Sequence, residues 1–138
     1  RKELATALGI TNDEDTIESL KKEKTRYDGA VKSLTDTALS AFNLVLLPEK
    51  MPIEETARAI NDLGTFGIKV PLLIVNEVIP QAVLKGNWFL ERRRATQDQY
   101  LDEIASRFNG VLRKQVPLLE TDVYGAQKLR KVASFLYD

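Results

Sequence analysis

Cysteine and histidine are both absent from the 138 residues of this chain. Disulfide scaffolds and thiolate metal sites are therefore excluded, and most transition-metal sites and histidine-dependent acid–base or nucleophilic designs are excluded with them. A surplus of charge of either sign is also lacking, because 20 Lys and Arg balance 20 Asp and Glu. Without a net electrostatic field, we expect neither nucleic acid nor an acidic membrane surface as a partner.

Long apolar runs are missing as well. The longest, at residues 43–48 and 70–80, fall well short of the ~20 residues that a membrane-spanning helix needs. The opening residues Arg1-Lys2-Glu3-Leu4 lead into no apolar region of the signal-peptide type. We therefore expect no transmembrane segment and a cytoplasmic protein, and the initial Arg in place of Met suggests a fragment.

Glycine patterns that bind phosphate are absent too. None of the seven glycines falls in G-x-x-x-x-G-K-[ST] or G-x-G-x-x-G. The carboxylates lie mainly on predicted helix faces, where ion pairing is their usual role. Catalysis by this chain alone is therefore not expected.

Helix-like and strand-like segments alternate along the chain. Apolar residues at helical spacing predict helices over residues 13–40, 51–63, 88–109 and 123–136. Short apolar runs predict strands at 43–47, 71–75 and, more weakly, 111–116, the first of them buried on both faces. This order is typical of an α/β fold, a parallel sheet of about three strands with flanking helices. Three strands leave a long unpaired sheet edge, which favours one part of a larger sheet.

Segments that contain polar residues directly follow the predicted strands. They are Pro48-Glu49-Lys50, Asn76-Glu77 and Pro117-Leu118-Leu119-Glu120. Ligands of open parallel sheets bind beyond the carboxyl ends of the strands. The side-chain amide of Asn76 offers a donor and an acceptor, as does the edge of adenine. The alternative is an Asn that closes a turn by bonding its own backbone, and the residues alone favour it.

Four motifs, in this order, resemble the arsenite-pump and tail-anchored-protein-targeting (ArsA/Get) family of P-loop ATPases. Together they cover residues 42–138. Leu46–Arg58 matches the family pattern "PE…ET.R", and Val75–Pro80 matches "VN.V.P". Arg94, Gln97 and Tyr100-Leu101 match "R..Q..YL", and Val116–Gly125 matches "PL…E(V/I).G".

The resemblance implies a single segment, residues 1–138, of a larger P-loop NTPase-type (Rossmann-like) fold. Residues 1–41 would be a long helix and a preceding linker, and residues 42–138 the carboxy-terminal half of an ATPase domain. Asn76 would contact the adenine of ATP, while Pro117 and Leu118 would wall the base pocket. Mg²⁺ would be bound through the absent amino-terminal half, which would also carry the P-loop.

The implied function couples ATP hydrolysis to anion transport or to membrane-protein targeting. The expected partners are adenine nucleotide and either a membrane-protein client or a membrane pump subunit. A non-catalytic interaction module on the same fold is the alternative. A further hypothesis is that the helix at residues 13–40, with Leu4, Leu8 and Ile10 before it, forms a surface that binds a client protein.

The chain departs from the family at one motif. Many members carry C-x-x-C just before the R..Q..YL run, where two subunits share a zinc ion, but this chain has Asn87-Trp88-Phe89-Leu90 there. A zinc clasp is therefore excluded, and a homodimer stays an open prediction. Trp88 and Phe89 either pack across a dimer or anchor one subunit internally. Glu55 and Arg58 match the family but are expected to form an i, i+3 ion pair.

Overall fold

A computed structural model describes residues 13–137 of the chain. The chain divides into two compact units, residues 1–40 and residues 41–138. In the first unit, helix α1 spans Asp13–Thr35, which is shorter than the predicted 13–40. Asp36 ends the helix because its carboxylate accepts a hydrogen bond from the backbone N–H of Ala38 at 2.9 Å. The residues Leu4, Leu8 and Ile10 of the predicted client surface lie outside the described residues.

The second unit alternates strands and helices. Its three strands are hydrogen-bonded in the order β1-β2-β3, and both pairings are parallel. The predicted α/β fold with three parallel strands and flanking helices is therefore confirmed. The elements are β1 (Asn43–Leu46), α2 (Lys50–Thr65), β2 (Leu72–Val78), a 3₁₀ turn (Gln81–Val83), α3 (Trp88–Arg107), β3 (Leu112–Pro117) and α4 (Gly125–Tyr137).

One face of the sheet carries the core of this unit. Leu46, Leu73 and Val75 point to that face and are almost fully buried. Ile53 of α2 and Ile104 of α3 pack against them with 0% and 1% of their surface exposed. Burying side chains of this size stabilises the fold by about 1.5–3 kcal/mol each. The apolar stripes of α2 and α3 therefore fix both helices on this face.

The opposite face of the sheet is only partly covered. Val116 is buried there, beside α4, which packs on β3. Val45 of β1 and Leu112 of β3 are each 62% exposed. The prediction that the first strand is buried on both faces is therefore wrong for Val45, because the helix on this face, α4, packs on β3 and not on β1.

Strand β2 contains an extra residue. Three steps along β2, from Val75 to Val78, match two steps along β3, from Gln115 to Pro117. This is a β-bulge, and within it Glu77 has a φ of +58°, in the left-handed region. The strand was predicted to end at Val75 but continues to Val78, so Asn76 and Glu77 lie inside the bulge and not after the strand.

Candidate functional site

A cavity of about 480 Å³ lies at the carboxyl ends of β2 and β3. This volume falls within the range of about 300–1,000 Å³ usual for small-molecule sites. The three residues predicted to bind adenine, Asn76, Pro117 and Leu118, all line it. The structure thus places together residues that are some 40 positions apart in sequence. Glu77 and, from α4, Leu129 and Val132 contribute further lining.

Asn76 is half-buried at the edge of this cavity. Within residues 13–137 its side chain makes no hydrogen bond to another protein group. The turn that was the alternative prediction, closed by the Asn76 amide on its own backbone, is therefore not formed in the described structure. An amide with its donor and its acceptor both available can recognise a ligand edge that offers the complementary pair.

Pro117 and Leu118 form an apolar wall whose direction is fixed by the sheet. Pro117 is the last residue of β3 and pairs with Val78 in the register. The backbone N–H of Leu118 donates to the carbonyl oxygen of Val78 at 2.9 Å, which continues the pairing by one residue. The proline ring has a fixed φ, and it presents a flat apolar surface. These residues are suited to contact a planar ring.

A side chain of α4 fixes the loop that follows Pro117 and Leu118. The ammonium group of Lys128 donates to the hydroxyl of Thr121 at 2.8 Å and to the carbonyl oxygen of Asp122 at 3.0 Å. Both acceptors lie in the segment that lines the cavity. The loop therefore has a defined position even though its residues are exposed.

Two side chains of α3 bind backbone groups at the end of β2 and just after it. The amide nitrogen of Gln97 donates to the carbonyl oxygen of Glu77 at 3.0 Å, and its amide oxygen accepts from the N–H of Ile79 at 2.9 Å. Arg94 donates to the carbonyl oxygen of Ile79 and, at 2.8 Å, to the carboxylate of Asp98. Gln97 is only 8% exposed. In the sequence, Gln97 and Arg94 stand out only as parts of a motif. Their i, i+3 spacing puts both on one side of the helix and was the available signal.

The polar end of β1 reaches the same edge of the sheet. Glu49 lines a second cavity of about 280 Å³, together with Glu77 and Leu118. Glu77 and Leu118 therefore border both cavities, and the three predicted strand ends do converge. The carboxylate of Glu49 lies 3.6 Å from the guanidinium of Arg93.

An ion-pair network joins α2 to the carboxy-terminal end of α3. The Arg107 guanidinium donates two hydrogen bonds to the Glu54 carboxylate, at 2.8 and 2.9 Å. Lys50 lies 3.2 Å from Glu54 and 3.4 Å from Glu103. The hydrogen bonds from Arg107, and then those from Lys50, lower the pKa of Glu54 to about 2. This network lies mainly in solvent and serves to connect the two helices.

The expected ion pair between Glu55 and Arg58 is wrong. Among residues 13–137, neither side chain belongs to an ion pair, and Arg58 instead donates to the backbone carbonyl of Glu54 at 3.4 Å. Glu54, one position earlier, faces α3 and its cations. The helix face that meets another element thus decides which carboxylate is paired.

The aromatic pair at the start of α3 is exposed. Trp88 and Phe89 form an edge-to-face contact, with ring centroids 6.2 Å apart, and they are 69% and 52% exposed. The reading of this pair as a buried anchor within one subunit is therefore wrong, and the homodimer stays a prediction. In the described range, no group of three or more acidic side chains is arranged to hold a metal ion. No helix between residues 13 and 137 is long and apolar enough to cross a membrane.

Comparison with known proteins identifies relatives over almost the whole chain. Residues 2–138 match the family of anion-transporting ATPases. The chain is 34% identical over 134 residues to the putative arsenical pump-driving ATPase 2 of Aquifex aeolicus, which covers 97% of this chain and 44% of that protein. It is also 31% identical over 101 residues to the ATPase get3 of Neurospora crassa, covering 73% of this chain and 30% of that protein.

The chain thus spans less than half the length of these curated relatives. Its three parallel strands with flanking helices agree with the P-loop NTPase-type fold expected of their family. The family match extends over both units of the chain. The chain belongs to the anion-transporting ATPase (ArsA) family.

Proposed function

We propose that this chain supplies the adenine-binding part of the nucleotide site of an ATPase. The observation that carries the proposal is the meeting of Asn76, Pro117 and Leu118 at one cavity beyond the carboxyl ends of β2 and β3. Membership of an ATPase family supports the same assignment. The ligand class is therefore an adenine nucleotide, ATP in the complete protein.

Each of the three residues has a distinct part in this proposal. The amide oxygen of Asn76 accepts a hydrogen bond from the exocyclic amino group of adenine, and its amide N–H donates to an adjacent ring nitrogen. Pro117 and Leu118 contact the faces of the ring and remove them from water. The amide supplies base specificity, whereas the apolar wall supplies affinity for any purine.

The phosphate-binding and catalytic groups belong, in this proposal, to sequence outside these 138 residues. The chain contains neither glycine pattern that cradles phosphate. A P-loop, a hydroxyl that binds Mg²⁺ and a carboxylate that activates water would complete the site. Mg²⁺ neutralises charge that develops on the phosphates during hydrolysis. A reading frame upstream of Arg1 that encodes a glycine-rich loop ending in Lys-Ser or Lys-Thr supports this part, and a frame without one contradicts it.

The work done by hydrolysis is proposed from the relatives' names. One relative is named an arsenical pump-driving ATPase and another ATPase get3. We propose that the complete protein acts in the cytoplasm and couples ATP hydrolysis to anion transport or to membrane-protein targeting. Its partner would be a membrane pump subunit or a membrane-protein client.

A non-catalytic interaction module is the second candidate function. The observation in its favour is helix α1, whose apolar residues Ile17, Leu20 and Tyr27 are 49%, 59% and 64% exposed. Such a stripe can bind another protein whether or not nucleotide is bound. This candidate predicts that the complete protein binds its partner with the same affinity in the presence and absence of ATP.

The adenine assignment is tested by comparing two nucleosides. Adenosine and purine riboside differ only in the amino group at position 6, so purine riboside has nothing to donate to the Asn76 amide oxygen in either orientation of the amide. The dissociation constant of the chain for each is measured by ¹H–¹⁵N NMR titration. Replacing Asn76 by Ala should weaken adenosine binding about tenfold and purine riboside binding by clearly less, because purine riboside has no amino group that the amide oxygen could accept from.

Asn61→Ala is the matched control, since Asn61 is an exposed residue of α2. It should leave both dissociation constants unchanged. Equal adenosine affinity in the Asn76→Ala variant and the parent chain would contradict the assignment and leave Asn76 without a role in recognition.

A further inference from the structure

The bulge in β2 decides which side chains reach the cavity. Side chains alternate between the two faces of a regular strand, so a strand without the extra residue would put Glu77 on the core face with Leu73 and Val75. That face is closed by α2 and α3, and an unpaired carboxylate there would be strongly unfavourable. With the extra residue, Val78 takes the core position and is 5% exposed. Asn76 and Glu77 are then both free to line the cavity.

This arrangement imposes a strained backbone. Glu77 has a φ of +58°, and a residue with a Cβ atom rarely adopts such a value without support from its surroundings. The support comes from Gln97, whose single amide group binds the carbonyl of Glu77 and the N–H of Ile79 at 3.0 and 2.9 Å. Arg94 holds the carbonyl of Ile79 from the same helix.

We propose that Gln97 is a positioning residue for nucleotide recognition. It fixes the backbone on the carboxyl side of Asn76 and thereby aims the Asn76 amide at the base. Gln97 itself lies on the core side of the strand end and is buried, and it does not line the cavity that contains Asn76. The inference rests on the proposed function, because it assigns a further residue to the same site.

A purely structural Gln97 would have a different signature. Its loss would lower the stability of the whole unit, but the folded fraction would still bind adenosine in preference to purine riboside. A positioning Gln97 affects the preference itself, since an Asn76 side chain that is no longer aimed at the base cannot accept from the amino group of adenosine. The ratio of the two dissociation constants, measured on folded protein, therefore separates the two roles.

The test compares substitutions on α3 in the full 138-residue chain. Gln97→Met keeps the side-chain size and removes both hydrogen bonds. Gln97→Glu keeps an acceptor for the N–H of Ile79 but loses the donor to the carbonyl of Glu77. Gln99→Met is the control, because Gln99 is exposed on the same helix. Each variant is titrated with adenosine and with purine riboside under conditions in which its amide spectrum shows a folded chain.

The parent chain and Gln99→Met should prefer adenosine by about tenfold, as expected for one matched hydrogen-bond pair. Gln97→Met should bind both nucleosides with comparable affinity, and Gln97→Glu should show an intermediate preference. An undiminished preference in folded Gln97→Met overturns the inference while leaving the proposed function intact. If that variant does not fold, an undiminished preference in Gln97→Glu overturns it. A parent chain that does not distinguish the two nucleosides contradicts the proposed function and the inference together.

Discussion

The two ends of helix α3 use polar side chains in different ways. Toward its amino-terminal end, Gln97 and Arg94 bind the backbone of β2 at a bulge, and Gln97 is almost fully buried. At its carboxy-terminal end, Arg107 and Glu103 join Glu54 and Lys50 of α2 in a network of ion pairs that remains open to solvent. Both clusters attach α3 to its neighbours, but only the first also sets a backbone conformation.

The difference shows where a polar contact has structural consequences. Ion pairs in solvent are replaced by hydration when they break, so each contributes little to stability. A buried amide that satisfies a backbone donor and a backbone acceptor has no such replacement, and its loss leaves both groups unpaired in the interior. The two hydrogen bonds of Gln97 should therefore contribute more to stability than the larger and more highly charged network at Arg107.

Ile104, a core residue of α3, sets the scale for comparing the two clusters. Because it is 1% exposed and belongs to the core cluster, Ile104→Ala should lower the free energy of unfolding by about 3 kcal/mol. Ile17→Ala on α1, where the side chain is 49% exposed, should change it by less than about 0.5 kcal/mol. Urea unfolding measures both. Similar values for the two variants would show that α3 is not packed as described.

Removing the two hydrogen bonds of Gln97 is predicted to have the next largest effect on stability. Gln97→Met should destabilise the chain by about 2 kcal/mol, because the buried N–H of Ile79 and the partly buried carbonyl of Glu77 lose their partners. Gln99→Met, the exposed control on the same helix, should leave the urea midpoint nearly unchanged. A Gln97→Met variant as stable as the control would contradict the expectation that the Gln97 contacts stabilise the chain more than the ion-pair network does.

The ion-pair network is predicted to have the smallest effect and a characteristic pH dependence. The pKa of Glu54 is held at about 2 in the folded chain, against an ordinary value of 4.5. Its contribution to stability is therefore fully present above pH 4.5 and is lost as the pH falls from there toward about 2. Between about pH 6 and pH 3, the urea midpoint of Glu54→Gln should fall by less than that of the parent chain.

Glu55→Gln is the control for this experiment, because Glu55 is exposed and belongs to no ion pair within residues 13–137. Its midpoint should fall with pH as the parent's does. High salt should also reduce the difference between Glu54→Gln and the parent chain, since these charges are reached by solvent. A stability loss in Glu54→Gln that exceeds that of Gln97→Met would reverse the comparison.

The alternation of elements was readable from the sequence because burial imposes periodicity. The stripe Ile53, Ala57 and Ile60 predicted α2, and the run ending at Leu47 predicted β1, which ends one residue earlier. The bulge in β2 could not be predicted. Apolar alternation gives no sign of one extra residue, and the left-handed conformation falls on a Glu and not on the usual Gly.

The candidate site was predicted in part. Strand ends and family motifs indicated Asn76, Pro117 and Leu118, and these residues do line one cavity. Gln97 was not assigned a role, because its two partners are backbone groups 18 and 20 positions away, and no side-chain pattern reveals them. Contacts with backbone groups far away in sequence are thus the part of this site that only the structure reveals.

The central claim is that the Asn76 amide and the wall of Pro117 and Leu118 enclose an adenine ring. It is tested most directly by nuclear Overhauser contacts in the chain saturated with adenosine. The account predicts contacts from the adenine ring protons to the Leu118 methyl groups and to the Asn76 side-chain amide protons. Contacts from adenosine only to residues elsewhere, with the Asn76 and Leu118 resonances unshifted at saturation, would contradict it.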